Sequence, residues 1–303
     1  MDGSILALPC DTALKQHYGM LGSRADSPSA QASVLYDVLN NVVVDARIAP
    51  LKTHERMLAV EHFDALKTLG QTEKELVLSD RGYPSSDMLQ ELQGRNIRYI
   101  MRVSKSFNAQ IDALPHGDAV ITTKIKGKEY TLRVVKFTLE SGEEETLLTD
   151  LFDPSLTVED FRNLYFMRWA IETKFGTLKN KLEIENFSGR TVNAIEQDFF
   201  VTMYLCNIAA AAAWEADEKI AQNRKDKSNR YLYKTNVNHE IGVLKDQFIL
   251  ALLHPGPYHQ AYLINKIINR IAKAVTPIKP GRNTPRPKSP RESKFHHNHK
   301  SNC

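Results

Sequence analysis

Four residues in the second half of the chain, Tyr165, Arg168, Glu172 and Lys179, follow one another at intervals of three, four and seven positions. On a helix of 3.6 residues per turn they share an arc of about 60°, in a row about 21 Å long. One carboxylate flanked by two cations and a phenol suits a hard cation held beside a phosphate backbone. The acid offers oxygen to the ion, while the cations and the ring meet phosphate and sugar. The same spacing also describes a solvated face on which Arg168 and Glu172 form an ordinary i,i+4 pair. Two further acids stand at the ends of apolar segments. Asp80 follows Leu76–Leu78 and opens Asp80-Arg81-Gly82-Tyr83, and Asp2 opens Asp2-Gly3-Ser4 beside the apolar run Gly3–Leu8. A carboxylate at the C-terminal end of a strand in an α/β sheet faces the crevice where ligands bind. Asp-Gly and Asp-Arg-Gly are also common turn formers, so neither acid marks a site by itself.

The elements that must hold these residues are partly readable. Gly3–Leu8 reads as a strand, Tyr18–Gln31 as a Gly/Ser/Pro-rich loop, and Ser33–Ile48 as two strands or a hairpin broken at Asn40–Asn41. A helix capped at Thr53 runs to Gly70. The strand Leu76–Leu78 follows, then a helix capped at Ser85 or Ser86 and ending near Gly94, then the strand Tyr99–Val103. This β-α-β-α-β alternation predicts an α/β core with some parallel pairing. From Ala119 to Phe152 the apolar spacing shortens, with turns at Lys126-Gly127-Lys128 and Glu140-Ser141-Gly142, which predicts an antiparallel meander. Lys124, Lys126 and Lys128 alternate along it and read as a solvated face or a DNA contact. Beyond Thr157 the chain reads as helices over Thr157–Leu182, Val192–Glu218, about Val237–Leu253, and Tyr262–Val275. In the first of these, Leu164, Met167, Ile171, Phe175, Leu178 and Leu182 form a core-facing stripe beside the polar row, so the row edges a cleft.

Composition narrows the class. The 303 residues carry 42% hydrophobic and 25% charged side chains, which excludes a chain disordered throughout. The net charge is +4, yet residues 276–303 alone hold seven basic residues against Glu292, leaving the rest at −2. A nucleic-acid role for the body therefore requires local placement of charge. The five-proline tail, with His296, His297 and His299, reads as disordered and could add salt-sensitive, sequence-blind affinity for DNA. Cys10, Cys206 and Cys303 form no CxxC pair, which fits a reducing compartment. The apolar run Phe199–Trp214 is short for a membrane span, and the N-terminus lacks a secretory pattern. A cytoplasmic protein with no membrane partner is the expectation.

In full, Tyr165-x2-Arg168-x3-Glu172-x6-Lys179 resembles the signature of DDE-type transposases of the insertion-sequence-four family. Asp80-Arg81-Gly82-Tyr83 resembles that family's second-aspartate motif and Asp2-Gly3-Ser4 its first. The stretch Val44-Asp45-Ala46-Arg47-Ile48 with Glu55-Arg56 is similar to the segment between them. The resemblance spans about residues 2–215. It implies an α/β, ribonuclease H-like catalytic core with an antiparallel β-strand insertion and C-terminal helices. The expected divisions are 1–105 for the first part of the core, 106–147 for the β-rich insertion, 148–275 for the second part, and 276–303 for the tail.

The resemblance further implies that Asp2, Asp80 and Glu172 are catalytic and hold two Mg²⁺ or Mn²⁺ ions, for DNA strand cleavage and strand transfer at transposable-element ends. Tyr165, Arg168 and Lys179 would bind DNA. The implied partners are double-stranded DNA, as element ends and target, and a second copy in a synaptic complex. Relatives that form DNA hairpins stack a base on an aromatic of the insertion. Trp169 and Trp214 lie outside it, leaving Tyr130, Phe107 or Phe137 for that task. Because the chain starts at Met1-Asp2, the resemblance implies a truncated form lacking the start of the first strand and the DNA-end recognition domain. Two other readings stay open: an inactive fragment that binds DNA or full-length transposase, and a ribonuclease H-like nuclease without strand transfer.

Overall fold

The computed structural model describes residues 1–22, 27–70, 75–228 and 230–279. The chain opens with β1 (Asp2–Ala7), α1 (Thr12–Tyr18), β2 (Ser29–Asp37), β3 (Val42–Pro50), α2 (Glu55–Thr68), β4 (Leu76–Ser79), α3 (Ser86–Gly94), β5 (Arg98–Val103) and the one-turn α4 (Ala109–Asp112). A meander follows: β6 (Gly117–Ile125), β7 (Lys128–Thr138) and β8 (Glu144–Thr149). Then come α5 (Val158–Phe166), α6 (Trp169–Asn180), α7 (Val192–Arg224), β9 (Leu232–Thr235), α8 (Val237–Leu252), α9 (Pro257–Ile271) and β10 (Val275–Ile278).

Three sheets result. β1, β2 and β3 stand in that order; β4, β5, β8, β7 and β6 form a mixed sheet; β9 pairs with β10. β1 runs antiparallel to β2, with Asp2 opposite Val34 and Gly3 opposite Ser33. β4 and β5 are parallel, whereas β5–β8, β8–β7 and β7–β6 are antiparallel. The Met1 nitrogen donates to the Leu78 carbonyl at 3.0 Å, which sets the start of β1 beside the end of β4. Both acid-bearing strand ends are thereby neighbours.

Local chemistry accounts for these elements. The Ser85 hydroxyl accepts from the Met88 N–H and caps α3. Thr157 and Asp160 close a reciprocal box at the start of α5. The β6–β7 hairpin turns on Lys126 (φ 48°) and Gly127 (φ 80°), the two left-handed positions that a two-residue turn of matching twist requires. Leu35 of β2, Ala59, Phe63 and Leu66 of α2, Leu89 and Leu92 of α3, and Tyr99 and Met101 of β5 form one apolar core. α8 and α9 pack with Ala209 and Ala216 of α7 in another.

The chain clusters into two compact units. One comprises Met1–Leu39, Val43–Phe175 and Arg190–Val192. The other comprises Asn40–Val42, Gly176–Gly189 and the residues from Asn193 on.

The mixed α/β architecture with a mixed sheet agrees with the sequence reading, and several details differ. The helix expected over Thr157–Leu182 is two, α5 and α6, separated at Met167 and Arg168. There the Met167 and Arg168 N–H groups bond the Leu164 and Tyr165 carbonyls, the tight i→i−3 pattern of a 3₁₀ turn. A seven-residue helix, α1, precedes the expected loop, and Ser29–Gln31 belong to β2. The cap of α2 is His54, whose Nδ1 accepts from the Arg56 N–H. The last helix starts at Pro257, whose missing N–H suits a first turn.

Meander residues 106–147 join the sheet of β4 and β5 through the β5–β8 ladder. Thr276–Ile278 of the expected tail are strand, paired with Leu232–Lys234 of β9, and the rest of the tail from 280 on lies outside the described residues. By length and composition α7 would pass as a membrane-crossing helix, but Ile195, Phe199, Met203, Cys206 and Ala209 are buried within the fold.

Candidate active site

Asp2 and Asp80 each sit in a turn that fixes their carboxylates. The Gly3 N–H donates to Asp2 Oδ1 at 2.9 Å, and the Arg81 N–H donates to Asp80 Oδ1 at 2.7 Å. Glu172 lies in the first turn of α6, and Arg168 in the tight turn just before it. The Arg168 guanidinium joins acids from opposite ends of the chain: Nη1 is 3.7 Å from Asp2 Oδ2, and Nη2 is 3.3 Å from Glu172 Oε1. Its charge lies 5.6 Å from the Tyr165 ring centre and 5.2 Å from that of Trp169. The side chain is only 4% exposed, and its Nε has no hydrogen-bond partner.

Glu55, the first residue of α2, enters the same place. Its Oε1 accepts from Gln31 Nε2 at 3.0 Å. A methyl group on Gly3 would come within 2.5 Å of that oxygen, and one on Gly82 would stand 3.8 Å from Oε2. Glu55 therefore lies between the two turns that carry Asp2 and Asp80.

The charges oppose one another. Burial pushes the Asp2 carboxyl above its ordinary range, with Asp80 adding to the rise while the Gly3 N–H and Arg168 act against it. Burial also raises the Glu55 carboxyl, helped by the charges of Asp2 and Asp80 and resisted by the Gln31 amide. The Tyr83 hydroxyl, fully enclosed, is held un-ionised by burial and then by Glu55, Asp2 and Asp80. Ser33 is its near neighbour but is committed to His62, so the Tyr83 hydroxyl makes no bond of normal geometry. Among the described residues no three His, Cys, Asp or Glu side chains stand close enough together to hold one metal ion, and Arg168 bridges Asp2 to Glu172 instead.

Behind the acids, Asp45 Oδ2 is 2.7 Å from His62 Nδ1, and His62 Nε2 is 2.9 Å from Ser33 Oγ. His62 is two turns along α2 from Glu55, and Ser33 is the β2 partner of Gly3, so this buried chain pins α2 to the sheet directly behind the site.

The model of the transposase DDE domain family matches residues 11–208, about two thirds of the chain. The chain belongs to that family. The matched span of this DDE domain contains Asp80, Arg168, Glu172 and Lys179, and begins after Asp2. Among solved structures, the chain is similar to the piggyBac transposase in a synaptic complex with hairpin DNA, at 11% identity and a TM-score of 0.49. That alignment covers 89% of this chain and 56% of the other, so the chain spans little more than half of that relative. No curated protein matches it.

Not every residue of the DDE domain's expected row stays together. Tyr165 is buried with Ile100, Val135, Phe137, Leu147 and Phe161, its hydroxyl without a partner, so its ring packs rather than meeting solvent. Lys179 falls in the second unit, where its Nζ lies 3.3 Å from Glu185 Oε1. Tyr130 and Phe137 belong to the core of the meander and offer no surface for a stacked base. Lys124 is exposed opposite Glu129, and Lys128 bonds Gln90. Glu55 and Gln31 escaped assignment from sequence. The one signal was Glu55 within a stretch that resembled the family.

Proposed function

We propose that this DDE domain is the catalytic part of an insertion-sequence-four-type transposase, cleaving DNA at element ends and joining them to a target. Asp2, Asp80 and Glu172 are the catalytic acids of this reading, and they hold two Mg²⁺ or Mn²⁺ ions. The observation that carries it is the meeting of Asp2 and Glu172 on Arg168, beside Asp80. The family normally uses divalent metal ions. The donor set fits them: hard carboxylate oxygens on fixed turns, crowded enough that burial and mutual repulsion raise Asp2. The order β3-β2-β1, with β1 brought beside β4 by the Met1–Leu78 bond, supports a ribonuclease H-like core.

The cations would supply charge for activating a water or a DNA 3′-hydroxyl and for stabilising the departing 3′-oxygen. The chain's own groups do the rest. The turn N–H groups of Gly3 and Arg81 aim the carboxylates, and the ring of Tyr165 backs the Arg168 guanidinium. Arg168, with Nε unpaired, holds a phosphate of the cut strand, and Lys179 holds the backbone further along. The partners are double-stranded element ends and target DNA, paired by a second copy of the chain in the cytoplasm.

One observation favours a second reading, an inactive relative that only binds DNA: no three acids yet share a metal-ligating point among the described residues. Nicking of supercoiled DNA in Mg²⁺ or Mn²⁺ separates the two. The enzyme cuts, and Glu172→Ala abolishes cutting; binding without cutting establishes the second reading. Cutting without joining of 3′-hydroxyl ends identifies a nuclease.

A further inference from the structure

Glu55 is an acid whose position serves stability poorly. Its partner is a neutral amide, Gln31 Nε2 at 3.0 Å, and among the described residues no Lys or Arg forms an ion pair with it. Asp2 and Asp80 both add repulsion. A half-buried carboxylate placed against two others costs folding free energy unless something positive completes the group.

The backbone has been cleared to admit it. Gly3 does not have the positive φ that calls for glycine, yet any side chain there would strike Glu55 Oε1 at 2.5 Å and Gln31 Nε2 at 2.7 Å. Glycine at this β1 position serves close approach, and the group that approaches is the Glu55–Gln31 pair. Gln31 lies on β2, is itself buried, and orients the carboxylate toward the residue beside Asp2.

A second, independent observation indicates that the pocket receives a ligand. Arg168, more than nine-tenths buried and in contact with Asp2 and Glu172, leaves Nε without an acceptor. The Tyr83 hydroxyl, also enclosed, lacks a partner as well. Buried donors are almost always satisfied, so unsatisfied ones on the wall of an acid cluster imply a ligand or its waters.

We propose that Glu55 is a fourth acid of the site, giving a carboxylate oxygen to a divalent cation shared with Asp2 and Asp80. Oε1 stays tied to Gln31, and Oε2, on the Gly82 side, is the ligating atom. This rests on the reading that Asp2, Asp80 and Glu172 hold cations. Gln31 is a positioning residue that fixes the carboxylate's rotation.

The test is Mn²⁺ binding to the whole chain without DNA, followed by calorimetry and by the paramagnetic signal of the ion, with thermal unfolding in parallel. Glu55→Gln keeps shape and the Gln31 contact but removes the charge. It is expected to weaken Mn²⁺ by about tenfold or more and to raise the unfolding temperature in metal-free buffer. Glu55→Asp keeps the charge, shortens the reach and should also weaken Mn²⁺, so a folding failure in one variant leaves the other decisive. Wild-type Mn²⁺ affinity in either folded variant overturns the proposal, provided Glu172→Gln has lost affinity. If Glu172→Gln also binds as wild type, or the wild type binds no Mn²⁺, the underlying reading fails instead.

Discussion

Two arginines of the first unit are buried to the same degree, 4% exposed, and they are used in opposite ways. Arg133, on β7, is saturated. Nε and Nη2 bond Asp118, Nη1 bonds the carbonyls of Leu151 and Asp153 at 3.0 and 2.6 Å, and Nη2 also bonds that of Leu156 at 2.7 Å. Its charge rests 4.7 Å from the ring centre of Phe161. Arg168 has two long contacts to acids and one nitrogen with none. A buried charge completed by the fold acts as a rivet; one left incomplete has capacity for something from outside. The loose arginine is the one among the acids of the DDE domain.

Breaking the rivet should give the largest effect on folding. Arg133→Leu strands the Asp118 carboxylate and three carbonyls, and a loss of about 3–5 kcal/mol in urea unfolding is expected, with Mn²⁺ affinity unchanged. A loss below about 1 kcal/mol would erase the contrast. Arg168→Ala should do the reverse. DNA cleavage is expected to fall by about 10²–10³-fold, stability to change by less than about 1 kcal/mol, and Mn²⁺ to bind more tightly once the competing cation is gone. Destabilisation as large as that of Arg133→Leu would make Arg168 a second rivet.

The smallest effects concern the Asp45–His62–Ser33 chain, a third polar group and again a completed one. His62→Ala should cost about 1–3 kcal/mol by leaving Ser33 and Asp45 unpaired. Burial pushes the Asp45 carboxyl up, but His62 and Arg47 outweigh that and hold it below its ordinary value. A depressed folded-state value contributes stability that is present above the unfolded carboxylate range and is lost as pH falls through it. Asp45→Asn should therefore flatten the acid limb of a stability-versus-pH curve. An unchanged limb would show that the pair contributes nothing.

The comparison also explains what the sequence could reveal. Alternating or continuous apolar runs bounded by turn residues marked β1, β4, β5 and the meander, because period and punctuation are local. Asp2, Asp80 and Glu172 were legible through type and spacing. The break at Met167–Arg168 was not, since no Pro or Gly marks it and the apolar stripe runs through it. The contacts of Arg168 with Asp2 are remote in sequence. Pro277, which lacks an N–H, made β10 read as tail, and only its place opposite Tyr233 makes it strand. Helix α1, at seven residues, is too short for periodicity and owes its start to Asp11 Oδ1, which accepts from the Ala13 and Leu14 N–H groups. Glu55 looked like any acid in a first helical turn, and its meaning depends on a glycine fifty residues away.

Crystals of the whole chain soaked in Mn²⁺, with the ion located by its anomalous scattering, address the central claim most directly. The account expects Mn²⁺ at about 2.1 Å from carboxylate oxygens of Asp2, Asp80 and Glu172, with Arg168 drawn off the two acids it now joins. Saturating Mn²⁺ that leaves this place empty, with Arg168 still between Asp2 and Glu172, would contradict it.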